Sequence, residues 1–292
     1  MFDKQRLGLE IKRLRKTKKL TQSQLAHEIC NQSEISRIEA GDFFPSIDLL
    51  YFISIRLNVS LLYFFEILTY EQVEEINIIR NDVWSFSQSK NYMELYSYLT
   101  NLLPRIKGFH PEIDTFLLWK KYLAEYYLNK IDAQYCLTEL FLLLRRNIMG
   151  LDNELHLNIK NSIANILAEN KNYEKSISLY KEILSEDFKT KESEKLEIKV
   201  HYNYGKLLFL RKDYENSLKI TNNGIDLAIK RRDMTFLGQF YYQKGSIMEE
   251  LDFTFEETAK IYNNALFFFE ILNLKVYTNI LLKEKSIFIG ER

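Results

Sequence analysis

The sequence predicts an all-α protein in two parts, a head of short helices followed by a long stack of helical hairpins. Three observations carry this. Only three prolines and nine glycines interrupt 292 residues, which favours helices joined by short turns. Five short amphipathic segments crowd into the first 70 residues. Beyond them a polar, aromatic-ended turn recurs at a step of about 41 residues.

Residues 4–17 place Leu7, Ile11 and Leu14 on one helical face. Thr21 caps a second helix over 22–29, with Leu25, Ala26 and Ile29 turned inward. Cys30-Asn31 make a tight turn, and a third helix over 32–40 buries Ile35 and Ile38 before stopping at Gly41. Pro45-Ser46 opens a fourth helix, 46–57, striped by Ile47, Leu50, Ile53 and Leu57. Val59-Ser60 leads into a fifth, about 60–67. The head is thus expected to occupy residues 1–70 and the hairpins residues 71–292.

In the second part Lys90-Asn91-Tyr92 recurs as Lys171-Asn172-Tyr173 and, altered, as Lys212-Asp213-Tyr214. Asn129-Lys130-Ile131-Asp132 falls midway between the first two, and one further step reaches Phe255 after Leu251-Asp252. A small residue precedes three of these breaks: Ala164, Gly205 and Gly245. A small residue, a turn and then an aromatic opening the next helix resembles the tetratricopeptide hairpin, with a longer period than usual. Five hairpins are expected, beginning near residues 71, 111, 153, 194 and 234, with a last helix at about 274–288. Such hairpins stack into a superhelix whose concave face receives extended peptides. A non-repeating helical domain with aromatics in its core is the plainer alternative.

Charge and composition narrow the function. The formal net charge is zero, yet residues 1–20 hold eight Lys and Arg against Asp3 and Glu10. Such a cluster marks a polyanion contact or a solvated face. Cys30 and Cys136 stand in unrelated contexts, so neither a disulfide framework nor a zinc site is implied. The N-terminus lacks an apolar signal core, and no run long enough for a membrane span occurs. A cytoplasmic protein off the membrane is the simplest expectation. His27, His110, His156 and His201 lie singly and no phosphate loop appears, so no enzyme, cofactor or metal is expected. A phosphatase acting on a response regulator is the enzymatic alternative, and it has few candidate groups.

The sharpest motif is Thr21-Gln22-Ser23-Gln24-Leu25-Ala26 followed by Gln32-Ser33-Glu34-Ile35-Ser36-Arg37-Ile38-Glu39-Ala40-Gly41. A helix that enters the major groove needs short polar side chains at its leading end. Gln32, Ser33 and Ser36 supply them, with Gln32 able to donate and accept at one adenine edge. Arg37 either bonds DNA or pairs internally with Glu39, and Glu34 either selects cytosine or repels wrong sites. Gln22, opening the second helix, is placed to hold a phosphate. Arg13, Arg15 and Lys16 are expected beside the DNA backbone.

The same motif resembles the helix-turn-helix of the lambda-repressor/Cro-like family over residues 6–68. With the hairpins, the whole chain resembles the peptide-responsive regulators of Gram-positive bacteria, the Rap/Rgg/NprR/PlcR/PrgX group. PlcR-like members share the patterns that stand here at residues 7–15, 20–30, 32–41 and 45–49. The resemblance implies a homodimer on a palindromic DNA site, with a short signalling peptide on the concave repeat surface.

An extended peptide exposes unpaired N–H and C=O groups, which side-chain amides satisfy. First helices of hairpins carry Asn161, Asn165, Asn203, Gln239, Gln243 and Asn279. Tyr202, Tyr242 and Tyr277 are candidates for pocket walls, and Lys90 for a peptide carboxylate. The apolar stripe of residues 61–79 either packs the head on the body or pairs two chains. A regulator whose repeats only dimerise or bind another protein is the competing reading.

Overall fold

The computed structural model describes residues 3–106, 111–146 and 153–290, and of residues 69–73, 111 and 153 it describes the backbone only. His110 lies outside the described residues, as do the side chains at the middle of the 61–79 stripe. Every regular element among the described residues is a helix. They form two compact units, Met1–Asn91 and Tyr92–Arg292.

In the first unit, α1 (Lys4–Thr17), α2 (Gln22–Ala26), α3 (Gln32–Glu39) and α4 (Ile47–Leu57) enclose one core. Leu7, Ile11, Leu25, Ile35, Ile38, Leu50 and Ile53 fill it together with Phe64 of α5 (Leu61–Gln88). Most helix starts are fixed by a side-chain cap. Asp3 accepts from the Gln5 and Arg6 amides, Ser46 from Leu49 and Ser60 from Tyr63, while Thr21 with Gln24 forms a capping box.

Two boundaries differ from the sequence reading. The second helix ends at Ala26 rather than 29, because His27 leaves helical geometry and Glu28 takes φ 60°. The fifth helix does not end near 67 but continues to Gln88. No glycine or proline lies between residues 61 and 88 to stop it, so the break expected at 70 falls inside a continuous rod.

The second unit contains α6 (Tyr92–Ile106), α7 (Pro111–Tyr127), α8 (Ala133–Leu144), α9 (Asn153–Glu169), α10 (Tyr173–Leu184), α11 (Lys191–Leu210) and α12 (Tyr214–Arg231). It ends with α13 (Leu237–Glu250), α14 (Phe255–Ile271), α15 (Lys275–Glu284) and α16 (Ser286–Ile289). Hairpins pair α7 with α8, α9 with α10, α11 with α12 and α13 with α14. The hairpin expected from residue 71 has no separate first helix here, since residues 71–88 belong to α5. The single last helix expected over 274–288 is interrupted at Lys285.

The recurring turn has a physical cause. Asn129, Lys171, Lys212 and Asp252 each adopt left-handed backbone, with φ of 55°, 61°, 62° and 54°. In each case the next residue donates its N–H to a carbonyl five residues back: Lys130 to Glu125, Asn172 to Leu167, Asp213 to Leu208 and Phe253 to Met248. This closes the first helix in a Schellman motif, and in three of the hairpins an aromatic then opens the second. A second recurring bond clamps the helices together. The Ser176 hydroxyl donates to Ala164 O at 2.7 Å and the Ser217 hydroxyl to Gly205 O at 2.8 Å.

First helices touch first helices along the stack, α9 on α11 and α11 on α13. Among the described residues α10, α12 and α14 do not pack on one another in this way. The stack therefore bends with its first helices on the inner wall.

Close approach within the last hairpin depends on Gly245. A Cβ there would lie 2.6 Å from the ring of Tyr262, which is fully buried and hydrogen-bonded to Glu249 and Ser246. Gly245→Ala should destabilise by about 1–3 kcal/mol, as overpacked cores do, and lower the denaturation midpoint followed by circular dichroism. An unchanged midpoint would mean that the ring moves aside freely.

Candidate functional site

At the start of α3, Gln32 and Ser33 are exposed, Ser36 is half-buried and Arg37 is exposed. A chain of hydrogen bonds sets the orientation of Gln32. Arg15 donates to both carboxylate oxygens of Glu39, at 2.5 and 3.0 Å, and to Leu20 O at 2.7 Å. Gln22 Nε2 donates to the same carboxylate at 2.9 Å, and Gln32 Nε2 donates to Gln22 Oε1 at 2.7 Å. A carboxylate only accepts, so Gln22 must present its NH2 to Glu39 and its oxygen to Gln32. Gln32 keeps one amide hydrogen and its carbonyl oxygen free, the pair that matches an adenine edge.

Several expected roles change here. Arg15 is buried in its pair with Glu39 and does not flank DNA as expected. It lies four residues after Ile11, on the apolar face of α1. Arg13 is tied to Glu10 at 2.6 and 2.8 Å and sits within reach of Tyr63, so it too is engaged. Gln22 bonds Glu39 and Gln32 at the two ends of its amide and so positions Gln32, and its second amide hydrogen is left over for the phosphate expected there. The Glu34 carboxylate accepts from the Asn31 amide at 3.0 Å and caps its own helix, rather than standing free to choose a base. Arg37 does not pair with Glu39; its guanidinium lies 5.2 Å from the Phe43 ring centroid and remains exposed. Lys16 is exposed at the end of α1, as a backbone contact requires.

In the second unit the structure sorts the amides. Asn161 and Asn203 occupy equivalent positions on α9 and α11 and bond to each other, Asn203 Nδ2 to Asn161 Oδ1 at 3.1 Å. Gln239 on α13 keeps a sealed carbonyl oxygen without a partner among the described residues. Tyr202 packs against Phe236 and Phe240, and burial pushes its hydroxyl up to about 12, with Tyr277 adding to the shift. Burial and the bond to Glu284 raise the Tyr242 hydroxyl. The Tyr242 hydroxyl donates to Glu284 at 2.7 Å, and Tyr277 stacks on Phe269 at 5.4 Å.

The remaining candidates are placed differently. Asn165 turns into its own hairpin, where its oxygen accepts from the Tyr180 hydroxyl at 2.5 Å. Gln243 is buried and donates to Thr221 at 2.7 Å, filling the space left by the missing side chain of Gly205. Gln243 is a packing residue, whereas Asn165 is half-buried with only its oxygen engaged. Asn279 is exposed on α15, and Lys90 is exposed at a left-handed turn that belongs to the first unit. Among the described residues no cluster of three or more His, Cys, Asp or Glu could hold a metal, and no single helix is long and apolar enough to cross a membrane.

Comparison with known proteins gives a consistent picture. A model of the RNPP family C-terminal domain matches residues 80–290, and a helix-turn-helix model matches residues 11–64. PlcR from Bacillus thuringiensis, solved with the peptide PapR7 and DNA, is 37% identical, with a TM-score of 0.75 over 98% of this chain and 100% of that one. Its apo form is 36% identical, with a TM-score of 0.76 over 96% and 99%. The competence regulator ComR from Streptococcus vestibularis, solved with its signalling peptide XIP, shares the fold at 15% identity, with a TM-score of 0.64 over 98% and 99%. No curated protein matches.

The Glu39 network predicts an acid-sensitive head. Burial raises the Glu39 carboxyl, but bonds from Arg15 and Gln22 outweigh this and hold it below the ordinary 4.5. A carboxyl lowered in the folded state stabilises above its unfolded value and loses that contribution as pH falls through the folded one. Stability of the first unit should therefore decline below about pH 4.5. In Glu39→Gln that acid limb should flatten, and at pH 7 the unpaired Arg15 should cost about 3–5 kcal/mol. Thermal unfolding across pH reads both, and equal acid slopes in parent and variant would refute the assignment.

Proposed function

The chain belongs to the RNPP family, and from that membership we propose that it is a cytoplasmic, peptide-responsive transcriptional regulator that binds a palindromic DNA site as a homodimer. The observation that carries the DNA half is the held amide of Gln32, free on one N–H and one C=O at the exposed start of α3. Fixing a reading side chain before contact removes rotamer entropy that binding would otherwise cost. Ser33, Ser36 and Arg37 complete the base-facing set, while Lys16 contacts phosphate. The first unit holds the DNA-binding domain, and the second binds peptide and dimerises.

The inner wall supports the peptide half. Asn203, with the buried Asn161 bonded behind it, and Gln239 supply amides for a peptide main chain. Tyr202, Tyr242 and Tyr277 line the apolar side. Occupation of this wall by a short signalling peptide changes the spacing of the two heads and hence DNA affinity. PlcR, similar over almost its whole length, was solved with both a peptide and DNA.

Selection of a site from a random duplex pool, followed by band-shift titration, tests the DNA half. Gln32→Ala should weaken the selected site by about 1–3 kcal/mol and relax preference for one base pair. Lys16→Ala should weaken all duplexes alike and lower the salt slope by about 1. Equal preference in parent and Gln32→Ala would overturn the reading. A synthetic heptapeptide library added to the same assay tests the peptide half, which fails if no peptide alters DNA affinity or dimer geometry.

A further inference from the structure

α4 carries apolar side chains on both of its faces. Leu50, Ile53 and Leu57 point into the head and are fully buried there. Ile47, Tyr51 and Ile55 follow one another at steps of four on the opposite face, with Phe52 beside them. They stay 64%, 49%, 56% and 51% exposed in the full chain. Ile47, expected in the buried stripe of this helix, stands in the outer one. The Tyr51 and Phe52 rings meet edge to face at 5.6 Å, so the exposed side chains form one patch. A surface helix ordinarily turns charged and polar groups outward. Here only Asp48 and the half-buried Arg56, at its two ends, do so.

The pattern fits a second copy of the same face. Ile47 and Ile55 lie four residues before and after Tyr51. Two α4 helices crossing antiparallel at Tyr51 therefore set Ile47 of each against Ile55 of the other, the self-complementarity that a two-fold contact requires. The charges agree, since the same crossing carries Asp48 of one helix towards Arg56 of the other. Asp48 is exposed. Arg56 uses only its Nη1 on the Gln24 and His27 carbonyls, so the rest of its guanidinium has no bond among the described residues. A parallel crossing would instead set like charges together. Area decides how strong the contact is. The four apolar side chains expose on the order of 500 Å² per head, below the about 800 Å² that each partner gives to a standard stable interface. The contact is too small to hold two free heads together, and it forms when a duplex or the rest of the dimer keeps them close.

We propose that the outer face of α4 is the surface through which the two heads of the dimer touch, each α4 lying antiparallel to its own copy. This rests on the reading of the chain as a homodimer on a palindromic site and names the surface that joins the heads there. A palindrome places two recognition helices about a two-fold axis, and a contact on that axis fixes the distance between them. Apolar burial at the contact adds to the affinity for two half-sites and leaves the affinity for one unchanged.

The test uses band shifts of the full-length protein on the selected palindromic duplex and on the same duplex with one half-site scrambled. The ratio of the two affinities reads the joint action of the heads, and the half-site affinity reads the fold of each head. Ile47→Glu and Ile55→Lys both complement the helix dipole at their own end of α4, so the helix is kept. Each should lower the ratio about fivefold or more, with half-site affinity within about twofold of the parent. In the doubly substituted chain the new carboxylate of one copy faces the new ammonium of the other, and the ratio should exceed that of either single variant. Tyr51→Glu sets two carboxylates on the axis and should lower the ratio as well, which gives a second reading should an isoleucine variant lose half-site affinity. A ratio unchanged in Ile47→Glu and Tyr51→Glu would overturn the proposal. A double variant no better than the single ones would mean that the face meets some other partner, and would overturn it too. A parent that prefers two half-sites no more than one would overturn the homodimer reading and this proposal with it.

Discussion

Glu39 accepts three hydrogen bonds from two neighbouring helices: two from Arg15 at the end of α1 and one from Gln22 at the start of α2. Glu39 itself closes α3, so one carboxylate ties three helices to a common point. The pair is buried, and taking two charges out of water costs several kcal/mol per ion before attraction is counted. That cost is offset only by good geometry, which here is a two-pronged guanidinium contact with further bonds to the Leu20 carbonyl and the Gln22 amide. Apolar packing of Ile11, Ile35 and Ile38 would hold the same helices together without defining their rotation. The ionic knot defines it, and Gln22 carries that definition outward to Gln32.

Much of this was legible in the sequence, and the parts that were not share one cause. Caps at Thr21, Ser46 and Ser60 and the stripe of Leu7 and Ile11 are local signals, and they mark helix starts and buried faces well. Arg15 was read as a surface cation because its type is usually exposed, yet its place four residues after Ile11 put it on the buried face. Asn165 and Gln243 were read as wall residues because their helical register allows it. Gln243 is drawn inside by a partner distant in sequence, Thr221, and the oxygen of Asn165 is taken by Tyr180. The end of the head was illegible for another reason: α5 passes through residue 70 with nothing to interrupt it.

The repeat register was legible because backbone geometry demands it. A left-handed residue that is not glycine costs roughly 1–2 kcal/mol, so it persists only where the chain must reverse. Lys171 and Lys212 occupy that position at one spacing, and Asn129 and Asp252 show that several polar types tolerate it. The pattern therefore survives divergence of the helices between the turns. Packing between the hairpin helices varies far more, from Ala164 with Ser176 to Gly205 with Ser217, and to Gly245 against the Tyr262 ring.

That difference bears on how the wall could respond to a ligand. The turns and helix clamps lie within single hairpins, whereas the Asn161–Asn203 bond joins two of them. In stacked repeats each unit contacts only its neighbours, so stability and curvature reside in the interfaces between hairpins. A ligand that takes the Asn161 oxygen or the Asn203 amide exchanges an inter-hairpin bond for bonds to itself. The hairpins keep their internal geometry while the angle between them becomes dependent on the ligand. The Asn161–Asn203 bond is thus one of the polar links between repeats, with Gln243–Thr221 and Trp119–Ser162, through which a ligand on the wall would act on curvature.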